Sequence, residues 1–176
     1  MLNETRIREA ESNVKAYISE GLLKKISADK HIMTILLRNA KESLRVAEEI
    51  YQKNLSELWV IVCSYYAMYY YANAALLKFG YKVGEKIVHK VTSDALIVYV
   101  RGKLKESLLE EYEETREEAL NLAGMRADSL VESFEYERNK RSFIQYKTID
   151  VEKQSKARTS LGRAKEFAKE MEKLLN

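Results

Sequence analysis

The chain predicts an all-α protein, an up-and-down antiparallel bundle of four to five core helices, and three observations carry that expectation. It has no proline and only six glycines in 176 residues, so little in it would break a helix. Ala, Leu, Glu, Lys and Arg dominate, residues that lose little rotamer freedom in a helix. Apolar residues recur at helical spacing, and no stretch alternates as a strand would. This length suits one substantial core and is too short for two comfortable domains, so residues 1–176 are read as a single domain.

The elements follow in order. A first helix is expected over Asn3–Leu23, with Ile7, Ala10, Val14, Tyr17 and Gly21 on one face. A second covers Ala28–Lys53, with Ile32, Leu36, Ala40, Leu44, Ala47 and Tyr51 facing inward. The third is set by the twenty uncharged residues between Glu57 and Lys78, with Gly80 as its stop. A fourth runs over Glu85–Val100, ahead of the break at Arg101-Gly102. A fifth, acidic segment runs from Lys105 toward Tyr146, kinked or split at Ala123-Gly124. The last starts at Asp150, a reasonable N-cap, and repeats Ala157, Leu161, Ala164, Ala168, Met171 and Leu175.

Twenty uncharged residues could span a bilayer, but their chemistry argues otherwise. Tyr65, Tyr66, Tyr69, Tyr70 and Tyr71 fall mid-run, whereas membrane tyrosines favour the interfaces. A helix apolar on nearly all sides belongs instead at the centre of a bundle or in a subunit interface. No membrane is expected as a partner. The N-terminal residues lack the apolar core of a signal peptide, and the single Cys63 rules out an intramolecular disulfide, so a cytoplasmic protein is expected.

The net charge of +3 hides a strong asymmetry. Glu106–Glu137 holds eleven acids and two bases, whereas Arg138–Lys169 holds ten bases and three acids. Either the two halves attract each other or a neighbouring subunit, or the basic half is a footprint for an anionic ligand. Two histidines and one cysteine are too few for an ordinary zinc site, so neither metal nor cofactor is expected. Glu85 and His89, four apart, would share a helix face, and His89 reads as a packing or hydrogen-bonding residue. His31 carries no signal.

The segment Glu135–Tyr146 is more informative. Continued as a helix, it places Leu130, Val131 and Phe134 at about 0°, 100° and 40°. Arg138, Arg141 and Gln145 then fall at about 80°, 20° and 60°, on the same stripe. Arginines turned inward need partners. Carboxylates of other helices would meet them, or they would line a cleft for phosphate.

The block LRNAKESLRVAEEIYQKNLSELWVIVCSYYAMYYYANAALLKFGYKVGEKIVH resembles the small stand-alone HEPN proteins of archaea and bacteria. It has their Ala- and Leu-rich helix, a Tyr-Tyr-Ala-Met motif, then Ala-Leu-Leu, a glycine and a downstream histidine, here His89. The similarity resumes at Arg138-Asn139 and runs through Ala157, Ala164 and Phe167, spanning residues 36–175. The acidic segment 105–133 is longer than usual, and residues 1–30 lie outside the likeness.

The resemblance implies a bundle of four or five helices, usually a homodimer. Many HEPN proteins are metal-independent endoribonucleases, often toxins paired with a minimal nucleotidyltransferase. Their motif is an arginine, a polar residue, and a histidine separated from the arginine by four to six residues. Arg138 and Asn139 match its opening, but Phe143, Ile144 and Gln145 stand where a histidine is required. No histidine follows His89.

General acid-base help is worth roughly 10²–10⁴ in rate, and Tyr146 is a weak base at neutral pH. The implied function is a nucleotide- or RNA-binding protein, or a partner of a nucleotidyltransferase, with a degenerate catalytic motif. Arg138 and Arg141 would grip phosphate, Asn139 and Gln145 would orient it, and Tyr146 would stack or hydrogen-bond. The competing expectation is an endoribonuclease in which His89 is brought to Arg138.

Overall fold

The computed structural model describes residues 2–27, 29–138 and 150–176, and among these the side chains of all but 125–138 and 150–153. These residues form an all-α helical bundle, with six helices among them: α1 (Glu4–Ser19), α2 (Lys30–Gln52), α3 (Glu57–Lys78), α4 (Val88–Tyr99), α5 (Glu106–Arg138) and α6 (Asp150–Leu175). A short 3₁₀ turn, Arg101–Lys103, follows α4. No helix among the described residues is long and apolar enough to cross a membrane.

Side chains start the first three helices. Asn3 accepts from the Arg6 N–H at 2.8 Å, Asp29 from His31 and Ile32, and Ser56 from Trp59. Residues in the left-handed region end the same three. At Gly21 (φ 72°) the Leu22 N–H donates to the Tyr17 carbonyl and the Gly21 N–H to that of Ile18, which closes α1 at Ser19. Gly21 is therefore a terminator and not the core-facing helical position its spacing suggested. Asn54 (φ 49°) closes α2 with the same pair of bonds, from Leu55 to Ile50 and from Asn54 to Tyr51. Gly80 (φ 84°) follows α3, as its sequence position implied.

Two three-residue strands, missed in the sequence, link these stops. β1 (Leu23–Lys25) pairs antiparallel with β2 (Tyr81–Val83), in the register Leu23↔Val83 and Lys25↔Tyr81. The Gly84 N–H extends the pairing to the Leu22 carbonyl, and a Cβ at Gly84 would sit 3.1 Å from that oxygen. The ribbon ties the end of α1 to the start of the α3–α4 connection. α1 then lies against α4.

α3 runs through the centre, packed on α2, α4, α5 and α6. Thirteen of its 22 residues are buried, whereas Trp59 in its first turn is 52% exposed. The fifth helix passes through Gly124 without a break, against the expected split, because one glycine costs only about 1 kcal/mol in a helix this long. α4 begins three residues later than the spacing suggested, at Val88. Glu85 therefore shares no helix with His89.

Candidate functional site: a cleft where α1, α4 and α5 meet

The site is built on the start of α4. Ile87 precedes its first turn in the left-handed region (φ 43°, ψ 35°), an uncommon conformation for a β-branched residue, and offers no side-chain cap. His89 follows in the first turn. Its Nδ1 lies 2.7 Å from the hydroxyl of Tyr65, a fully buried residue of α3. The rings of Tyr65, Tyr66 and Tyr69 surround the imidazole with centroids 5.5, 5.9 and 5.0 Å away.

Burial holds the Tyr65 phenol protonated, so we assign its O–H as donor to Nδ1. The imidazole proton then sits on Nε2. Burial, assisted by the nearby Arg116 guanidinium, pulls the His89 pKa below its usual value, so the ring is neutral at neutral pH.

Beside it lies a buried ionic network. Asp94 is fully inaccessible and accepts from the Tyr17 hydroxyl at 2.9 Å and from Asn13 Nδ2 at 3.0 Å. Its second oxygen lies 2.7 Å from Arg6 Nη2, as an ion pair without the alignment of a hydrogen bond. Arg6 also donates to Glu113 at 2.6 Å, and that carboxylate accepts from Ser93 at 2.7 Å. The carboxylates outweigh the desolvation that would lower the Arg6 pKa, so it is raised. Burial, with the bond to Asp94, pushes up the Tyr17 hydroxyl. One α1 arginine thus binds α1 to carboxylates on α4 and α5.

These elements enclose a cleft of about 450 Å³. Arg6, Glu9, His89, Lys90, Asp94 and Arg116 supply its polar lining, and Ile87 and Leu120 its apolar rim. Among the described residues the carboxylate paired with Arg116 is Glu113, at 3.8 Å and already shared with Arg6 and Ser93.

The opposite charge runs of α5 and α6 do face each other among the described residues. Arg163 pairs with Glu114, Ser160 donates to Glu118 at 3.3 Å, and Lys156 reaches Glu118 at 4.0 Å. Further along α6, Lys165 pairs with Glu48 of α2 at 2.8 Å.

Of the residues singled out in the sequence, His89 is hydrogen-bonded as expected, and His31 is exposed. Arg138 is the last described residue of α5, its side chain outside the described set. Asn139, Arg141, Gln145 and Tyr146 lie outside the described residues, so the inward stripe drawn through Arg138, Arg141 and Gln145 does too. The arginine that meets His89 is Arg116. At 1.5 Å per residue, Arg138 lies roughly 33 Å further along the same helix.

Sequence reasoning missed Arg6, Asp94 and Glu113, which sit up to 107 positions apart and carry no local signal. Among the described residues no three His, Cys, Asp or Glu side chains converge as metal ligands. Comparison with family models, curated proteins and solved structures gives no match to this chain, which leaves its own geometry as the guide.

Proposed function

We propose that the chain is a HEPN-like protein that binds RNA or nucleotide phosphate, of the toxin–antitoxin kind, and lacks efficient cleavage. The observation that carries this reading is the convergence of the residues on which the resemblance rests. Tyr65 and Tyr66 of the Tyr-Tyr-Ala-Met motif and the downstream His89 form one hydrogen-bonded aromatic cluster. The cluster borders a cleft that contains Arg116. Arg138, Asn139, Arg141, Gln145 and Tyr146 are assigned to the same binding role. The absence of a histidine after His89 is the reason to expect binding without efficient turnover. A homodimer and a nucleotidyltransferase partner belong to the proposal through the resemblance.

One observation favours the endoribonuclease reading. An imidazole and a guanidinium share one cleft, the two groups the family divides between proton handling and phosphate binding. Against it, with Nδ1 accepting from Tyr65 the neutral Nε2–H tautomer has no free base to offer.

The test is binding of a fluorescein-labelled single-stranded RNA to the full-length chain across a salt series, with cleavage followed in the same samples. Affinity is expected to fall steeply with salt, and the Arg138→Ala/Arg141→Ala double variant to bind about tenfold more weakly or worse. Intact RNA at the end supports a binder; cleavage abolished by His89→Gln supports the enzyme. No binding to RNA or nucleotide at low salt defeats both.

A further inference from the structure

The β1–β2 ribbon and the start of α2 lie together at one end of the bundle. The Ile26 N–H, one residue beyond β1, donates to the Gly80 carbonyl, and α2 begins four residues later. Cations outnumber acids here. Lys24 stands directly opposite Lys82 in the ribbon, and like charges so placed repel. Both are exposed, as are Lys25, Lys30 and Arg38, and none of the five has an ion-pair partner among the described residues. Across residues 20–38 and 78–86 the sequence holds seven bases and three acids. One of those acids, Asp29, is committed to capping α2, and one base, Lys78, to the Leu174 and Leu175 carbonyls. Six bases then face only Glu20 and Glu85.

Beside these cations the first two turns of α2 carry Ile32, Met33, Ile35 and Leu36, within an arc of about 160°. All four are half-buried, and they stand outside the packing of the central core, which takes in Leu37, Leu44 and Ile50 of the same helix. The ion pairs of α6 with α2 fall past them, at Lys41 and Glu48.

The combination selects among partners. A nucleic acid would use the cations and leave the aliphatic set idle, since its bases stack on aromatic rings. A bilayer takes up side chains that stand clear of the surface, and these are recessed. Carboxylates interleaved with aliphatic side chains satisfy both features, and that is the chemistry of an acidic amphipathic helix.

We propose that this end of the bundle docks an acidic amphipathic helix of another protein. The partner's aliphatic stripe covers Ile32, Met33, Ile35 and Leu36, and its carboxylates meet Lys24, Lys30 and Lys82. Most of this surface precedes residue 36 and so lies outside the HEPN likeness, and the proposal stands independently of the binding reading above.

Fluorescence anisotropy on the full-length chain tests it, with a labelled synthetic helix of about 18 residues, Leu at i, i+3 and i+4 spacing and Glu elsewhere. Binding is expected at low salt and should weaken as salt is added. The same peptide with Lys in place of Glu, or with Ser in place of Leu, is expected to bind about tenfold more weakly. Lys24→Glu/Lys82→Glu and Ile32→Ser/Ile35→Ser are each expected to lose about tenfold or more, and Arg163→Ala to change nothing. The lysine variant alters two exposed side chains, so it folds whatever becomes of the isoleucine variant.

No binding at about 1 mM peptide, full affinity in the lysine variant, or equal affinity for the Ser-substituted peptide overturns the proposal. A lysine variant that loses single-stranded RNA or phosphatidylserine vesicles, where the wild type holds no peptide, assigns the surface to another class of partner and overturns it too. Arg138→Ala/Arg141→Ala is expected to keep the peptide at full affinity, so failure of either reading leaves the other standing.

Discussion

Two regions of this bundle use charge in opposite ways. Along α5 and α6 the charges are many, written in the sequence as an acidic run and a basic run, and they meet at the surface. Arg163 pairs there with a Glu114 whose side chain is 61% exposed. Around α4 the charges are few and scattered, yet Asp94 is fully inaccessible and Arg6, Tyr17 and Asn13 converge on it. Water screens the first set, and exposed pairs of that kind contribute little. The second set sits where an unpaired charge is very costly. The density of charge in a sequence therefore says little about where charge matters to the fold.

The sharpest way to break the comparison is Asp94→Ala. It leaves Arg6 with Glu113 as its one remaining carboxylate among the described residues and removes the buried acceptor of Tyr17 and Asn13, and is expected to cost about 3 kcal/mol in denaturant unfolding. Arg163→Ala, at the other region, is expected to cost less than about 1 kcal/mol, with the difference shrinking further in high salt. Equal losses for the two would erase the distinction. The smallest effect is on pH. Because His89 titrates below its ordinary 6.5 when folded, the unfolded chain takes up the proton first on acidification. Its contribution to stability is present above that value and lost as pH falls, and His89→Gln should flatten this part of the acid profile.

The same contrast explains what was legible in the sequence. The helical class, the central place of Glu57–Lys78 and the stop at Gly80 were carried by local patterns, because burying that uncharged run admits few arrangements. Gly21 was misread because a glycine at helical spacing looks like a core position until its backbone angle is known. Three-residue strands such as Leu23–Lys25 are too short to show alternation. Gly124 looked like a break, yet the surrounding helix formers carry α5 through it. The Arg6–Asp94–Glu113 network has no period at all, since three helices from distant parts of the chain supply its members. His89 was noticed, but its partner Tyr65 and its neighbour Arg116 were not, because only tertiary packing brings them to it.

What sets the cleft apart from both charged regions is a guanidinium, Arg116, that stands 3.8 Å from Glu113 and beside a half-buried imidazole. The most direct test is an NMR titration of the His89 ring in the wild-type chain and in Arg116→Ala. A desolvated imidazole beside the Arg116 guanidinium predicts a wild-type pKa below 6.5 that moves upward when Arg116 is removed. A His89 that titrates at or above 6.5, unmoved by the substitution, would contradict the account.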